Sequence, residues 1–137
     1  MQHIVKELRT LISHGVKKHP LPIKVGNSIR IGPVVIRQIK DKSFLLFDSA
    51  NKETIGSLYS KHGALAVAKL YNENKSIEDV LNLDMKLQKH DTDARFYQHN
   101  IDKTSNQAKK ELLDIRLSVA HDELRVITTK LEQIIFN

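Results

Sequence analysis

Seven histidines and three close pairs of acids are the residues here that could bind a metal or move protons. A helical metal site needs ligands one turn apart on one face, as in His-x3-His or His-Glu-x-x-His. Neither spacing occurs. His90 and His99 are nine residues apart, which does not set them on adjacent turns. His90, Asp91 and Asp93 are near neighbours in sequence and splay onto different faces of a helix. Asp91 and Arg95, at i,i+4, suit a solvated ion pair instead. The acid pairs Glu78/Asp79, Asp91/Asp93 and Asp122/Glu123 lie in stretches rich in Lys or Asn. No pattern isolates one carboxyl in the apolar setting that acid–base chemistry would need.

Nucleophilic and nucleotide chemistry fare no better. The chain has no cysteine, so thiolate nucleophiles, zinc–thiolate sites and disulfides are excluded. The five glycines, at 15, 26, 32, 56 and 63, form neither Gly-x-Gly-x-x-Gly, nor a Walker loop, nor a Gly-x-Ser-x-Gly elbow. The sequence therefore predicts a non-enzymatic protein with no metal, no cofactor and no evident small-molecule ligand.

What remains is charge. Residues 1–42 hold nine Lys and Arg against Glu7 and Asp41, a net +7, while the remaining residues sum to −1. A basic end suggests an anionic partner. Lys17, Lys18, Lys24, Arg30, Arg37, Lys40 and Lys42 are the candidate nucleic-acid contacts, since Lys and Arg bind phosphates without any catalytic frame. The alternative is an ordinary basic surface. The aromatics that stack bases in RNA-recognition sheets are missing.

The elements that must position these residues follow from periodicity. Ile4, Val5, Leu8, Leu11 and Ile12 predict a helix over 3–16, ended by Gly15 and the prolines at 20 and 22. Residues 23–59 read as an antiparallel meander of three or four strands. Its parts are Ser28 to Ile31, a break or bulge at Gly32-Pro33, Val34 to Ile39, Phe44 to Phe47 as a central strand, and Thr54 to Tyr59. Ser60 caps an Ala-rich helix over 61–72, whose small residues would let it lie close on the sheet. Ser76 is the expected cap of a short helix to about Leu83, followed by a longer one through Leu87, His90, Ala94, Tyr97 and Ile101. After a polar turn at 103–106, Leu113, Leu117, Ala120, Leu124, Ile127, Leu131 and Ile134 recur at 4, 3, 4, 3, 4, 3. That is an unbroken heptad seam on a helix about 45 Å long at ~1.5 Å per residue. A second stripe, Ala108, Leu112, Ile115 and Val119, widens the apolar face. The seam has two readings: the core of an antiparallel hairpin, or a surface for self-association.

The fold expected is α+β: an N-terminal helix, the meander with its packed helix, then a C-terminal antiparallel helical hairpin. The division falls at a basic α-β-β-β-α unit over 1–74 and a helical tail over 75–137. No run approaches the ~18 apolar residues that span a membrane, and charges interrupt the N-terminal apolar residues as they do not in a signal peptide. A cytoplasmic protein is the expectation.

The stretch Leu11-Ile12-Ser13-His14-Gly15-Val16-Lys17-Lys18-His19-Pro20-Leu21-Pro22-Ile23, with Gly26-Asn27-Ser28-Ile29-Arg30-Ile31-Gly32 after it, resembles small uncharacterised proteins of marine tailed phages. The helix from Ser60 to Tyr71 and the long last helix add to the likeness. It implies a phage accessory or virion-associated role, in the host cytoplasm or the virion, and carries over no functional residue. The functional expectation is a binding or assembly protein with a protein partner or a second copy of itself. Nucleic-acid binding through the basic third is the alternative.

Overall fold

Apolar residues at every second position, Ile29 and Ile31, Val34 and Ile36, Phe44 and Leu46, give the sheet one greasy face. The computed structural model describes residues 23–25 and 28–137, with side chains from Ser28 onward. The helix expected over 3–16 lies outside the described residues. Strands β1 (Ile23–Val25), β2 (Ser28–Ile31), β3 (Val34–Lys40), β4 (Ser43–Asp48) and β5 (Glu53–Leu58) follow in chain order. Each is antiparallel to the next, in the spatial order 1-2-3-4-5. The expected meander is β2 to β5, and the three-residue β1 adds a fifth strand at the edge. Ile29, Ile31, Val34, Ile36, Phe44 and Leu46 are buried on the inner face. The outward Arg30 and Arg37 are exposed, while Val35, Leu45 and Phe47 are half-buried.

Gly32-Pro33 turns out to be neither a chain break nor a bulge. Ile31 pairs directly with Val34, so the dipeptide is a two-residue hairpin loop. Gly32 takes φ 59°, and a positive φ at the first loop position lets a tight turn match the strand twist. The bulges lie instead between Gln38 and Lys40 and between Leu46 and Phe47.

Helix α1 (Lys61–Asn72) crosses the inner face. Ser60 is its N-cap, its Oγ accepting from the Gly63 N–H at 2.9 Å. Ala64, Ala66, Val67 and Ala68 are at most 1% exposed, because short side chains let the helix settle onto the strands. Helix α2 (Glu78–Lys103) and helix α3 (Gln107–Phe136) form the antiparallel hairpin. Asn106 caps α3, its side chain accepting from the Lys109 N–H at 3.1 Å.

Two expectations on α2 need correction. The short helix and the longer one are a single helix from Glu78 to Lys103. No Gly or Pro interrupts this stretch, and Asp84 spends its carboxylate on a distant junction rather than competing for its own backbone. Ser76 is not the cap. Ile77 holds that position without a side-chain bond, and the Ser76 Oγ accepts from the Glu78 N–H at 3.3 Å.

A single core cluster runs through β2 to β5, α1, Val80 and Leu87 of α2, and Ile127, Leu131 and Ile135 of α3. Toward the hairpin's turn the buried positions thin to Ala94, Leu113 and Ala120, outside that cluster. Lys69 of α1 is 5% exposed and ties the other end of α3. Its Nζ donates to the carbonyls of Ile134 (2.9 Å) and Asn137, where the helix dipole favours a cation. Burial pushes the Lys69 pKa down from its ordinary range. No helix among the described residues is long and apolar enough to cross a membrane.

Candidate interaction surfaces and the polar clusters beside them

The basic candidates separate once folded. Lys17 and Lys18 lie outside the described residues, and of Lys24 only its place in β1 is described. Arg30 and Arg37 do come together. Arg30 stands opposite Val35, and Arg37 lies two residues further along β3, so the two exposed side chains are diagonal neighbours on the outer face. Val35 and Phe47 continue the row from Arg30, and Leu45 and Ser57 the row from Arg37. Lys40 is exposed at the end of β3.

Lys42 belongs elsewhere. It donates to Asp91 Oδ2 at 2.6 Å and lies 5.6 Å from the centre of the Tyr59 ring. The Tyr59 hydroxyl donates to the same carboxylate oxygen, and Arg95 Nε approaches it at 3.5 Å. The Asp91–Arg95 pair read from sequence is therefore the outer part of a clasp that joins the β3–β4 turn and the end of β5 to α2. Burial works against the Asp91 charge, but the bonds from Lys42 and Tyr59 prevail and hold its pKa below the ordinary 3.8. Tyr59 moves the other way. Burial first, then the neighbouring carboxylate, raises its pKa to about 12.

Two more carboxylates serve junctions. Asp84, 5% exposed, accepts from the backbone N–H of Tyr59 (2.6 Å) and of Ser60 (3.0 Å) and from the Ser60 hydroxyl (2.7 Å). Asp48, 2% exposed, accepts from the N–H groups of Ala50 and Asn51, closing the β4–β5 turn. It also accepts from the Asn51 amide and the Tyr71 hydroxyl of α1, and the Tyr71 bond above all lowers its pKa. An open groove between β5 and α2, lined by Ser57, Leu81, Met85 and Gln88, contains Tyr59 and Asp84. Both are already committed to these structural bonds. Among the described residues no three His, Asp or Glu side chains are grouped so as to hold a metal ion.

These clusters set a pH profile. A raised tyrosine pKa means that the folded state keeps a proton the unfolded chain has lost. The stability tied to neutral Tyr59 is therefore complete below pH 10 and drains away as pH rises toward about 12. Tyr71, raised mainly by its bond to Asp48, adds to the same loss. Depressed carboxylates act at the acid end: the contributions of Asp48 and Asp91 are present above pH 3.8 and lost as pH falls through their lower folded values. Urea midpoints measured from acid to alkaline pH should fall at both ends. Tyr59→Phe should flatten part of the alkaline limb, leaving the share due to Tyr71. An unchanged alkaline slope in that variant would contradict the assignment.

On α3 the seam residues turn inward. Leu113, Ala120, Ile127 and Leu131 are buried, and Leu117, Leu124 and Ile134 are half-buried. The second stripe is treated differently. Leu112, Ile115 and Val119 are 50%, 62% and 56% exposed, and Val126, one heptad on from Val119, is 49% exposed. Nothing in the spacing of two apolar stripes says which one the fold will cover.

Asp84 and Asp91 did leave a signal. Val80, Asp84, Leu87, Asp91 and Ala94 step 4, 3, 4, 3 along α2, so both acids stand in register with its buried apolar residues. An acid on the inward stripe of a helix needs partners from another element. No protein family, curated protein or solved structure matches this chain.

Proposed function

We propose that this chain is a non-enzymatic assembly protein, a phage accessory or virion-associated component, that works by associating with itself through the helical hairpin. One observation carries the reading. Helix α3 bears two apolar stripes; α2 and the core take the first, and Leu112, Ile115, Val119 and Val126 keep about half or more of their surface in water. Aligned exposure of this kind, at heptad-related positions, marks a contact surface rather than the scattered apolar residues any monomer tolerates. The phage setting is part of the proposal and follows from the resemblance expected of residues 11–32. Sedimentation velocity of the full chain from about 1 to 300 µM should show reversible association with a Kd on the order of 10 µM. The double substitution I115E/V119E should leave a monomer with unchanged far-UV circular dichroism. A wild-type chain that stays monomeric throughout would overturn the reading.

A second reading is supported by the neighbouring Arg30 and Arg37 on the outer face of the sheet. It is phosphate binding to duplex DNA or single-stranded RNA, which would weaken steeply with salt through counterion release. Fluorescence anisotropy tests it: R30E/R37E should abolish binding at low salt and leave the fold intact. Undetectable wild-type binding at low salt would remove it.

A further inference from the structure

We infer that the uncovered stripe of α3 pairs with the same stripe of a second copy, antiparallel, about a two-fold axis at Val119. This rests on the assembly reading and specifies its geometry. At ~100° per residue the stripe lies about 120° around α3 from the seam, so a second copy can dock without disturbing the hairpin. Antiparallel pairing about Val119 sets Leu112 against Val126 of the second copy and Val119 against itself.

The flanking charges match that register. On one side of the stripe stand Glu111, Ser118 and Arg125; on the other, Lys109, Arg116, Glu123 and Lys130. Antiparallel pairing brings Glu111 within two residues of the position opposite Arg125 of the second copy and Arg116 within one residue of the position opposite its Glu123. The two-fold axis repeats both pairs. Only Lys109 and Lys130, at the outer ends, meet like charge. Parallel pairing would keep one attraction, Glu111 to Arg116, and would set Arg125 against Lys130. Position-specific charges at the flanks of a helical seam choose orientation in this way.

Asp122 is the one charge within the stripe; the same register sets it beside Ile115 and Arg116 of the second copy, and Arg125 of its own helix lies 3.3 Å away to offset it. The four aliphatic side chains offer roughly 400 Å² of apolar surface per copy. With its polar rim the pair would bury on the order of 1,200 Å², the lower edge of specific interfaces. Because the same patch serves both partners, the contact is isologous and closes at a dimer.

The absence of native cysteine makes the test clean. In the full chain, V119C should oxidise to a disulfide-linked dimer, whereas K89C, on the exposed side of α2, should not. Sedimentation equilibrium should show E111R weakening the dimer about tenfold and E111R/R125E recovering part of that loss, because R125E restores the pair across the axis but removes the partner of Asp122. That recovery also shows that the single variant had not simply failed to fold. Association without the V119C cross-link and without recovery in the double variant would overturn this geometry and leave the assembly reading intact. A monomeric wild-type chain would overturn both.

Discussion

Replacing Asp84 by alanine should cost the fold about 3 kcal/mol, because two half-buried backbone N–H groups and a hydroxyl lose their common acceptor. Those donors belong to Tyr59 and Ser60, where β5 ends and α1 begins. The loss therefore reaches the cap of α1 as well, since the Ser60 hydroxyl that donates to Asp84 also accepts from the Gly63 N–H. For a chain of this size the melting temperature should fall by roughly 10 °C. Asp84→Asn should cost about half as much, because the amide keeps one oxygen acceptor but turns an NH2 group toward existing donors. Gly63→Ala is an independent probe of the cluster. A Cβ there would lie 2.6 Å from Asp84 Oδ1 and 2.9 Å from Ser60 Oγ, so the carboxylate must shift. Urea denaturation of the three variants measures all of this. A loss below about 1 kcal/mol in Asp84→Ala would mean that water satisfies the freed donors.

The second large effect separates the two stripes of α3. Leu131 is 0% exposed, and its truncation to alanine should destabilise by about 3–5 kcal/mol, combining lost transfer energy with an unfilled cavity. Leu112 sits on the same helix and is 50% exposed. Leu112→Ala should change the stability of the dilute chain by no more than about 0.5 kcal/mol, and should instead weaken association at higher concentration. Equal losses in the two variants, measured by urea denaturation at low protein concentration, would show that the outer stripe is structural.

The inward face of β2 could be read from Ile29 and Ile31 with Arg30 between them, because strand alternation is a local property. The same holds for α1 with its Ser60 cap and for the hairpin turn with Asn106. The runs Val34-Val35-Ile36 and Phe44 to Phe47 are apolar at successive positions and do not mark a face. Helical continuity was harder. The spacing predicts a short helix to about Leu83 and a longer one after it, whereas α2 runs unbroken past Asp84, an acid in an otherwise apolar register. The partners that make it tolerable are 24 and 25 residues away.

The sequence by itself determined the element types from Ser28 onward, the surplus of basic residues toward the N-terminus and the presence of two apolar stripes on one long helix. Each of these depends on residues within a few turns of one another. Only the tertiary structure decided that Lys42 is spent on Asp91 while Arg30 and Arg37 are diagonal neighbours on the outer face, that Asp84 and Asp48 hold junctions, and that the seam is covered while the outer stripe is not. Burial is a property of long-range contacts. A side chain's surroundings are set by whichever distant element packs against it, and local spacing carries no record of that choice.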